Sequence, residues 1–273
     1  MNAPLAAAPP LFPPASAPPA HKRPIPSPGT GGPHGSTHTT YDSDTFVARY
    51  AAVWAYGIAD PDRTSQPYYE HVLSVALPDG HPLPRTVLEV GCGPGRIIAD
   101  LASRVPRAQC TAVDAAATMV ALARAILHTA RGTGVAVDAG DFGFAPAIIP
   151  THGRPDITVL RRRLEDLDPS RQYDLVVASH LLDRVTSPKD SLRALAALTA
   201  PGGRLVVTCA FNYQQRHQWT MANGTDIATL LSQSGLRVEV LNEDVSYRER
   251  LDIRGTVTEH RVAVLRAHRP AQG

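Results

Sequence analysis

The chain has 273 residues, enough for one generous domain or two small ones with a substantial buried core. Its 27 Lys and Arg against 25 Asp and Glu leave a formal charge of only +2, so no large field argues for nucleic acid or an anionic membrane. No stretch approaches the roughly 20 apolar residues needed to span a bilayer.

Residues 1–40 are rich in Pro, Ala and Gly, with repeated Pro-Pro pairs. Proline interrupts the apolar core a signal peptide would need, so this segment reads as a disordered tail and the protein as cytoplasmic. The three cysteines, Cys92, Cys110 and Cys209, have no close spacing and read as small buried hydrophobes in a reducing compartment. One domain is expected over 41–273, with a helical cap over the active site at 41–84. Phe46, Val47, Tyr50, Val53 and Trp54 fall at helical spacing, as do Tyr69, Val72, Leu73 and Ala76 in a second helix over 66–77. The segment 78–84 breaks the chain. Strand and helix then alternate: a strand at 87–90, a helix at 96–104, a strand at 110–113 and an alanine-rich helix at 116–131. A Gly/Pro-containing insertion follows at 132–155, longer than an ordinary connection. Further strands are predicted at 157–160, 174–178 and 204–209, with a helix at 188–199 stopped by Ala200-Pro201-Gly202-Gly203. A short helix at 226–233 precedes two final strands, 236–241 and 257–266, which 251–255 can join antiparallel. Such alternation predicts a mostly parallel sheet covered by helices on both faces.

The most informative stretch is Thr86-Val87-Leu88-Glu89-Val90-Gly91-Cys92-Gly93-Pro94-Gly95-Arg96. A β-branched run ends in a glycine-dense turn that opens a helix, where backbone N–H groups receive a nucleotide-like ligand. The spacing is Gly91-x-Gly93-x-Gly95, not the wider pattern that cradles a pyrophosphate. Glu89 would repel a diphosphate and attract an ammonium, so the implied ligand carries positive charge and hydroxyls, as S-adenosylmethionine does. Asp114 ends the second strand about 20 residues on, where a ribose-binding acid lies; alone, it would read as a helix N-cap.

These residues resemble the first motif of class I S-adenosylmethionine-dependent methyltransferases. Asp174-Leu175-Val176-Val177 and Ala200-Pro201-Gly202-Gly203-Arg204-Leu205 resemble their fourth- and fifth-strand motifs. The resemblance implies a Rossmann-like α/β fold with a seven-stranded sheet of order 3-2-1-4-5-7-6, the seventh strand antiparallel. It implies that Glu89 orders water or contacts the methionine ammonium, that Gly91, Cys92, Gly93 and Gly95 pack against the cofactor, and that Asp114 takes the ribose. Ala115, Met119 and Ser179 complete the cofactor-binding set with Leu164 and Glu165. For adenine, the alternatives are Glu165 or Asp166, the backbone near Leu164, and Gly140-Asp141-Phe142 inside the insertion, with the Leu164 backbone favoured. The product would be S-adenosylhomocysteine.

His180-Leu181-Leu182-Asp183-Arg184-Val185, Val245-Ser246-Tyr247-Arg248-Glu249 and the long insertion are also similar to the methyltransferase domain of ovothiol-pathway enzymes, which methylates the imidazole of a thiolated histidine. Where that group has Ser-Pro-Tyr-Thr-Trp after the fifth strand, this chain has Cys209-Ala210-Phe211-Asn212-Tyr213. Methyl transfer chiefly requires alignment, helped by a base when the nucleophile carries a proton. Candidate catalytic residues are therefore His180, Tyr213 and His217, beyond the ends of the fourth and fifth strands, with Tyr56, Asp183 and Trp219 as substrate contacts. His180 titrates near neutrality without tuning; its plainer role is a backbone-bonded histidine at a helix start. The Arg161-Arg162-Arg163 run reads as a solvated strand end, and the scattered histidines show no metal-ligand spacing.

The expected activity is methylation of a small polar or heteroaromatic molecule, with nitrogen preferred. Alternatives are O- or C-methylation of an aromatic natural product and a non-catalytic partner subunit. No nucleic-acid or membrane partner is expected. Oligomeric state is left open, a homodimer included.

Overall fold

The computed structural model describes residues 43–140, 143–213 and 220–271. The tail predicted over 1–40, Asp141, Phe142, His217 and Trp219 lie outside the described residues.

Among the described residues the first helix, α1 (Asp44–Arg49), runs directly into a π-helical turn, Tyr50–Ala55. The wider i→i+5 bonding is visible where the Tyr56 N–H donates to the Ala51 carbonyl at 2.9 Å. Helix α2 (Gln66–Ala76) follows, then β1 (Thr86–Val90), α3 (Arg96–Arg104), β2 (Gln109–Asp114) and α4 (Ala117–His128). A separate antiparallel hairpin, β3 (Gly134–Val137) with β4 (Ala147–Pro150), precedes β5 (Thr158–Arg161) and a 3-10 turn, Leu164–Asp166. The remainder is β6 (Tyr173–Ala178), α5 (Pro188–Ala197), β7 (Thr199–Cys209), α6 (Gly224–Gln233), β8 (Arg237–Arg250) and β9 (Val257–His268).

Seven strands form one sheet in the order β5-β2-β1-β6-β7-β9-β8. Without the β3–β4 hairpin, this is the 3-2-1-4-5-7-6 order expected from the sequence. β1, β2, β5, β6 and β7 pair in parallel; β9 runs antiparallel to both β7 and β8. The central strands are apolar on both faces because helices cover both. Val87, Cys110, Leu175, Val177 and Val206 pack with Val72, Ile98, Leu101 and Leu127 of α2, α3 and α4. Alternate residues Leu88, Val90, Val176, Leu205 and Val207 pack with Leu192, Leu195, Ile227 and Leu231 of α5 and α6. Each fully buried Leu or Ile contributes about 1.5–3 kcal/mol by leaving water.

Three stretches differ from the sequence reading. The 132–155 insertion carries the β3–β4 hairpin, two four-residue strands that the sequence reading did not assign. Phe144 and Ile149 pack there against Trp54, Tyr56 and Ile126. β7 starts at Thr199, through the Pro-Gly-Gly predicted to stop the helix. The Tyr173/Leu175 register shift absorbs the extra residues as an irregularity. At Gly203 an added Cβ would meet the carbonyl oxygens of Ala200, Tyr173 and Asp174 at 2.8, 3.0 and 3.1 Å in forced contact, so only glycine passes. β8 is 14 residues long rather than six, with shifts at Val238/Val240 and Asn242/Val245 that bend a polar, half-exposed strand. Its end is clasped to the N-terminal segment: Trp54 Nε1 donates to the Arg250 carbonyl at 2.8 Å, and the Arg250 guanidinium meets Asp60 and Asp62 at 3.3 and 2.6 Å.

Candidate active site

A cavity of about 380 Å³ opens beyond the carboxyl ends of the parallel strands. This is where open α/β sheets place their ligands, and the volume lies in the roughly 300–1,000 Å³ range of small-molecule sites.

One end is made largely of backbone. Gly91 and Gly93 line it at φ +75° and +51°, and the Gly91 and Cys92 N–H groups donate to the Val113 carbonyl at 2.8 and 3.0 Å. An added Cβ at Gly91 would press on Leu181 at 3.1 Å, so the turn keeps its shape only with glycine. Asp114 lines the cavity and braces this turn: Oδ2 accepts from the Gly93 N–H at 2.8 Å and Oδ1 from the Ala116 N–H at 2.9 Å. Each carboxylate oxygen retains acceptor capacity for a diol. Ala115, Met119, Leu164, Glu165 and Ser179 also line the cavity, as do Arg162 and Arg163. Arg161, Arg162 and Arg163 are exposed, as a solvated strand end is, and the last two also edge the cavity.

Glu89, Cys92 and Gly95 do not line it. Glu89 is buried, and its Oε2 accepts from the Ile98 N–H at 2.9 Å in the first turn of α3; burial pushes its carboxyl well above the usual range. Cys92 is also buried, with its thiol pushed up by burial. Gly95, at φ +84°, lets α3 approach α4: an added Cβ would stand 3.0 Å from Leu127 Cδ1. These three residues build the turn from behind.

The other end is made of side chains from distant elements. His180 follows β6 at φ +51°, a conformation uncommon for a residue other than glycine or asparagine. A hydroxyl network holds it there. Tyr68 Oη lies 2.9 Å from Ser179 Oγ and 2.7 Å from Thr208 Oγ1, and the His180 N–H donates to Thr208 Oγ1 at 3.0 Å. The imidazole packs between Tyr68 and Tyr247, with ring centroids 4.9 and 4.7 Å away. Burial lowers its pKa to about 4, so the expectation of an untuned base near neutrality is corrected: His180 is neutral and weakly basic. Tyr247, Glu249 and His260 of β8 and β9 line the same end, with Arg184 and Asn212. Phe46, Tyr50 and Trp54 face them from the N-terminal segment, stacked edge to face between Tyr50 and Trp54 at 5.6 Å.

Three predicted contacts fall elsewhere. Tyr56 does not line the cavity; its hydroxyl donates to the Pro94 carbonyl at 3.2 Å, and burial raises its pKa. Tyr50 and Trp54 of the π-helical turn line the cavity instead. Tyr213 is buried against Phe211, with its hydroxyl 4.0 Å from Cys209 Sγ and its pKa raised by burial, so it is not positioned as a base. Asp183 is fully buried behind Arg184, and burial lifts its pKa to about 6 against the pull of that guanidinium at 3.8 Å. Sequence reasoning missed Glu249 and His260 as site residues. The segment 245–249 and the strand 257–266 are both legible in the sequence, but the pairing register that sets His260 beside Glu249 is not.

The methyltransferase domain family matches residues 62–242, more than half of the chain. A malonyl-(acyl-carrier protein) O-methyltransferase of Anoxybacillus flavithermus is 30% identical over 126 residues, covering 46% of this chain and 39% of that protein. A trans-aconitate 2-methyltransferase of Streptomyces avermitilis is 28% identical over 152 residues, covering 56% and 48%. The chain thus spans less than half the length of these curated relatives. The magnesium protoporphyrin IX methyltransferase of Synechocystis PCC 6803, solved with S-adenosylhomocysteine, superposes with a TM-score of 0.54 at 16% identity, over 85% of this chain and 97% of that one, a likeness of fold. The chain belongs to the methyltransferase domain family, and its sheet has the class I methyltransferase fold.

Proposed function

We propose that the protein methylates a nitrogen of a small polar or heteroaromatic molecule, an imidazole- or amino-acid-like acceptor, within a specialised-metabolite pathway. One observation carries the reading: a single cavity joins the Asp114 glycine turn to an end lined by His180, Tyr247, Glu249, His260 and Arg184. In this reading Asp114 accepts from the ribose hydroxyls, and Gly91 and Gly93 admit the cofactor to the backbone. Met119 and the backbone near Leu164 flank adenine, while Glu89 acts through the turn it supports. Phe46, Tyr50 and Trp54 roof the reacting groups, so that 43–84 serves as the cap. When bound, S-adenosylmethionine supplies an activated methyl group on a sulfonium. The chain's own task is to hold the acceptor in line within near-attack distance and exclude water. No helix among the described residues is long and apolar enough to cross a membrane. The buried, free Cys92, Cys110 and Cys209 support a cytoplasmic setting.

O-methylation of a carboxylate is the second reading. Arg184 and the arginines after β5 favour it, since a guanidinium binds a carboxylate readily, and the two curated relatives are named for malonyl and aconitate substrates. Incubation with labelled cofactor and an acceptor panel of thiolated histidine, histidine, a phenol, an indole and a tricarboxylate, read by mass, separates the two. Label on a ring or amine nitrogen supports the first reading; label only on a carboxylate overturns it.

A further inference from the structure

The cavity contains two histidines in opposite surroundings. His180 has its Nε2 shut off from solvent without a hydrogen-bond partner, between two tyrosine rings. His260 lies on β9 directly across from Tyr247 of β8, its ring stacked at 6.1 Å, and its Nε2 stands 3.5 Å from Glu249 Oε2. Glu249 is the diagonal neighbour on the same face of the hairpin, within reach for a pair. The charged and titratable groups that face His260 are Glu249 and Tyr247 from β8 and Asp183, Arg184 and His180 from the β6 side.

We propose that Glu249 and His260 form the proton-accepting pair of the transfer, with His260 as the base and Glu249 as its positioning residue. The inference rests on the nitrogen-acceptor reading above, because a carboxylate acceptor is already ionised and needs no base. The hydrogen bond to Glu249 raises the His260 pKa, with burial opposing it. Burial pushes Glu249 up, but the hydrogen bond and charge of His260, a Tyr247 hydrogen bond and the His180 charge together hold the carboxyl below its ordinary value. His260 is thereby tuned toward neutrality while His180 is tuned away from it.

With Nε2–H donated to Glu249, Nδ1 is the basic nitrogen. The acceptor nitrogen's lone pair forms the new C–N bond as the S–CH₃ bond breaks, its electron pair returning to sulfur. The N–H bond then breaks with its electrons kept by nitrogen, and the proton passes to His260 Nδ1, where Glu249 stabilises the imidazolium. The acceptor class is therefore an amine, whose one nitrogen carries both lone pair and proton, or an imidazole-type ring, whose sp2 nitrogen attacks and whose other ring N–H gives up the proton.

The test has two arms. In the first, histidine ring signals of the protein saturated with S-adenosylhomocysteine are followed by NMR against pH. His260 titrates above the ordinary value of about 6.5, and Glu249→Gln moves its titration to lower pH. A His260 that titrates at or below the ordinary value, or that ignores Glu249→Gln, overturns the pair. In the second, His260→Asn slows transfer to the methylated nitrogen acceptor by about 100-fold or more. It also removes the acid limb of the rate–pH profile and leaves cofactor affinity by calorimetry unchanged. Glu249→Gln shifts that limb to lower pH, which a merely structural role would not do. A wild-type rate and limb in His260→Asn also overturns the pair. Absence of label on any nitrogen acceptor defeats the reading beneath it instead, and the titration then decides the pair by itself.

Discussion

The two ends of the cavity are built in different ways. The cofactor end is contiguous: a turn and a strand end about 20 residues apart, shaped by backbone hydrogen bonds to Val113 and to the Asp114 carboxylate. The acceptor end assembles side chains from the N-terminal segment, the loop after β6 and the β8–β9 hairpin. Its clasp, Trp54 to Arg250, spans 196 residues of sequence. Backbone architecture tolerates little variation because it depends on φ angles only glycine adopts freely, whereas the side-chain end can change acceptor without disturbing the sheet.

The largest expected effect is at the contiguous end. Asp114→Ala removes the brace on Gly93 and two proposed ribose hydrogen bonds, each worth about 1.5–3 kcal/mol when charge-assisted. Cofactor affinity by calorimetry should fall by about 100-fold or more. Unchanged affinity would end the ribose assignment. Asp183→Asn should show itself in the pH dependence of stability. The folded pKa of Asp183 is raised by burial to about 6, so the native state disfavours its charge, and stability is lost as pH rises from the unfolded value of about 3.8 through about 6. The variant should therefore gain up to about 2–3 kcal/mol over wild type at pH 8 and nothing below pH 4, by urea unfolding at each pH. An equal difference at both pH values would mean that the carboxyl is not held neutral.

His180→Asn keeps a side chain that tolerates positive φ and removes the imidazole. If His180 is a wall rather than a base, transfer should slow by less than about tenfold, with the acid limb intact; a loss of about 100-fold would restore it as the base. The smallest effect is Tyr56→Phe, which deletes a hydrogen bond to the Pro94 carbonyl. Thermal unfolding should report a loss of about 0.5–1.5 kcal/mol with kcat unchanged; a fall in kcat would put Tyr56 back at the substrate.

The same division explains what could be read from sequence. Strand order, the glycine turn and Asp114 are written in short, contiguous patterns, and the sheet follows them. Met119 and Leu164 line the cavity because they lie one element away from those patterns. Tyr56 beside Gly57 reads as a reach into the pocket, but the break at Gly57 turns its hydroxyl to the Pro94 carbonyl, while the periodic Phe46, Tyr50 and Trp54 line the cavity. Tyr213 and Asp183 have the right chemistry in the right segment, but the burial that takes them out of the cavity is set by packing against Cys209 and Arg184. Glu249 and His260 meet only through β-pairing register, which no single-strand pattern records.

The π-helical turn has a consequence of its own. A helix that closes each bond over one extra residue carries a surplus unit of length between the N-terminal end of α1 and the clasp at Arg250. In an ordinary helix one residue corresponds to about 100° of rotation. Removing a single residue from 51–53 would thus swing Phe46 and Tyr50 off the cavity while the sheet stayed as it is. The length of the chain at this one turn thus bears on which rings line the cavity.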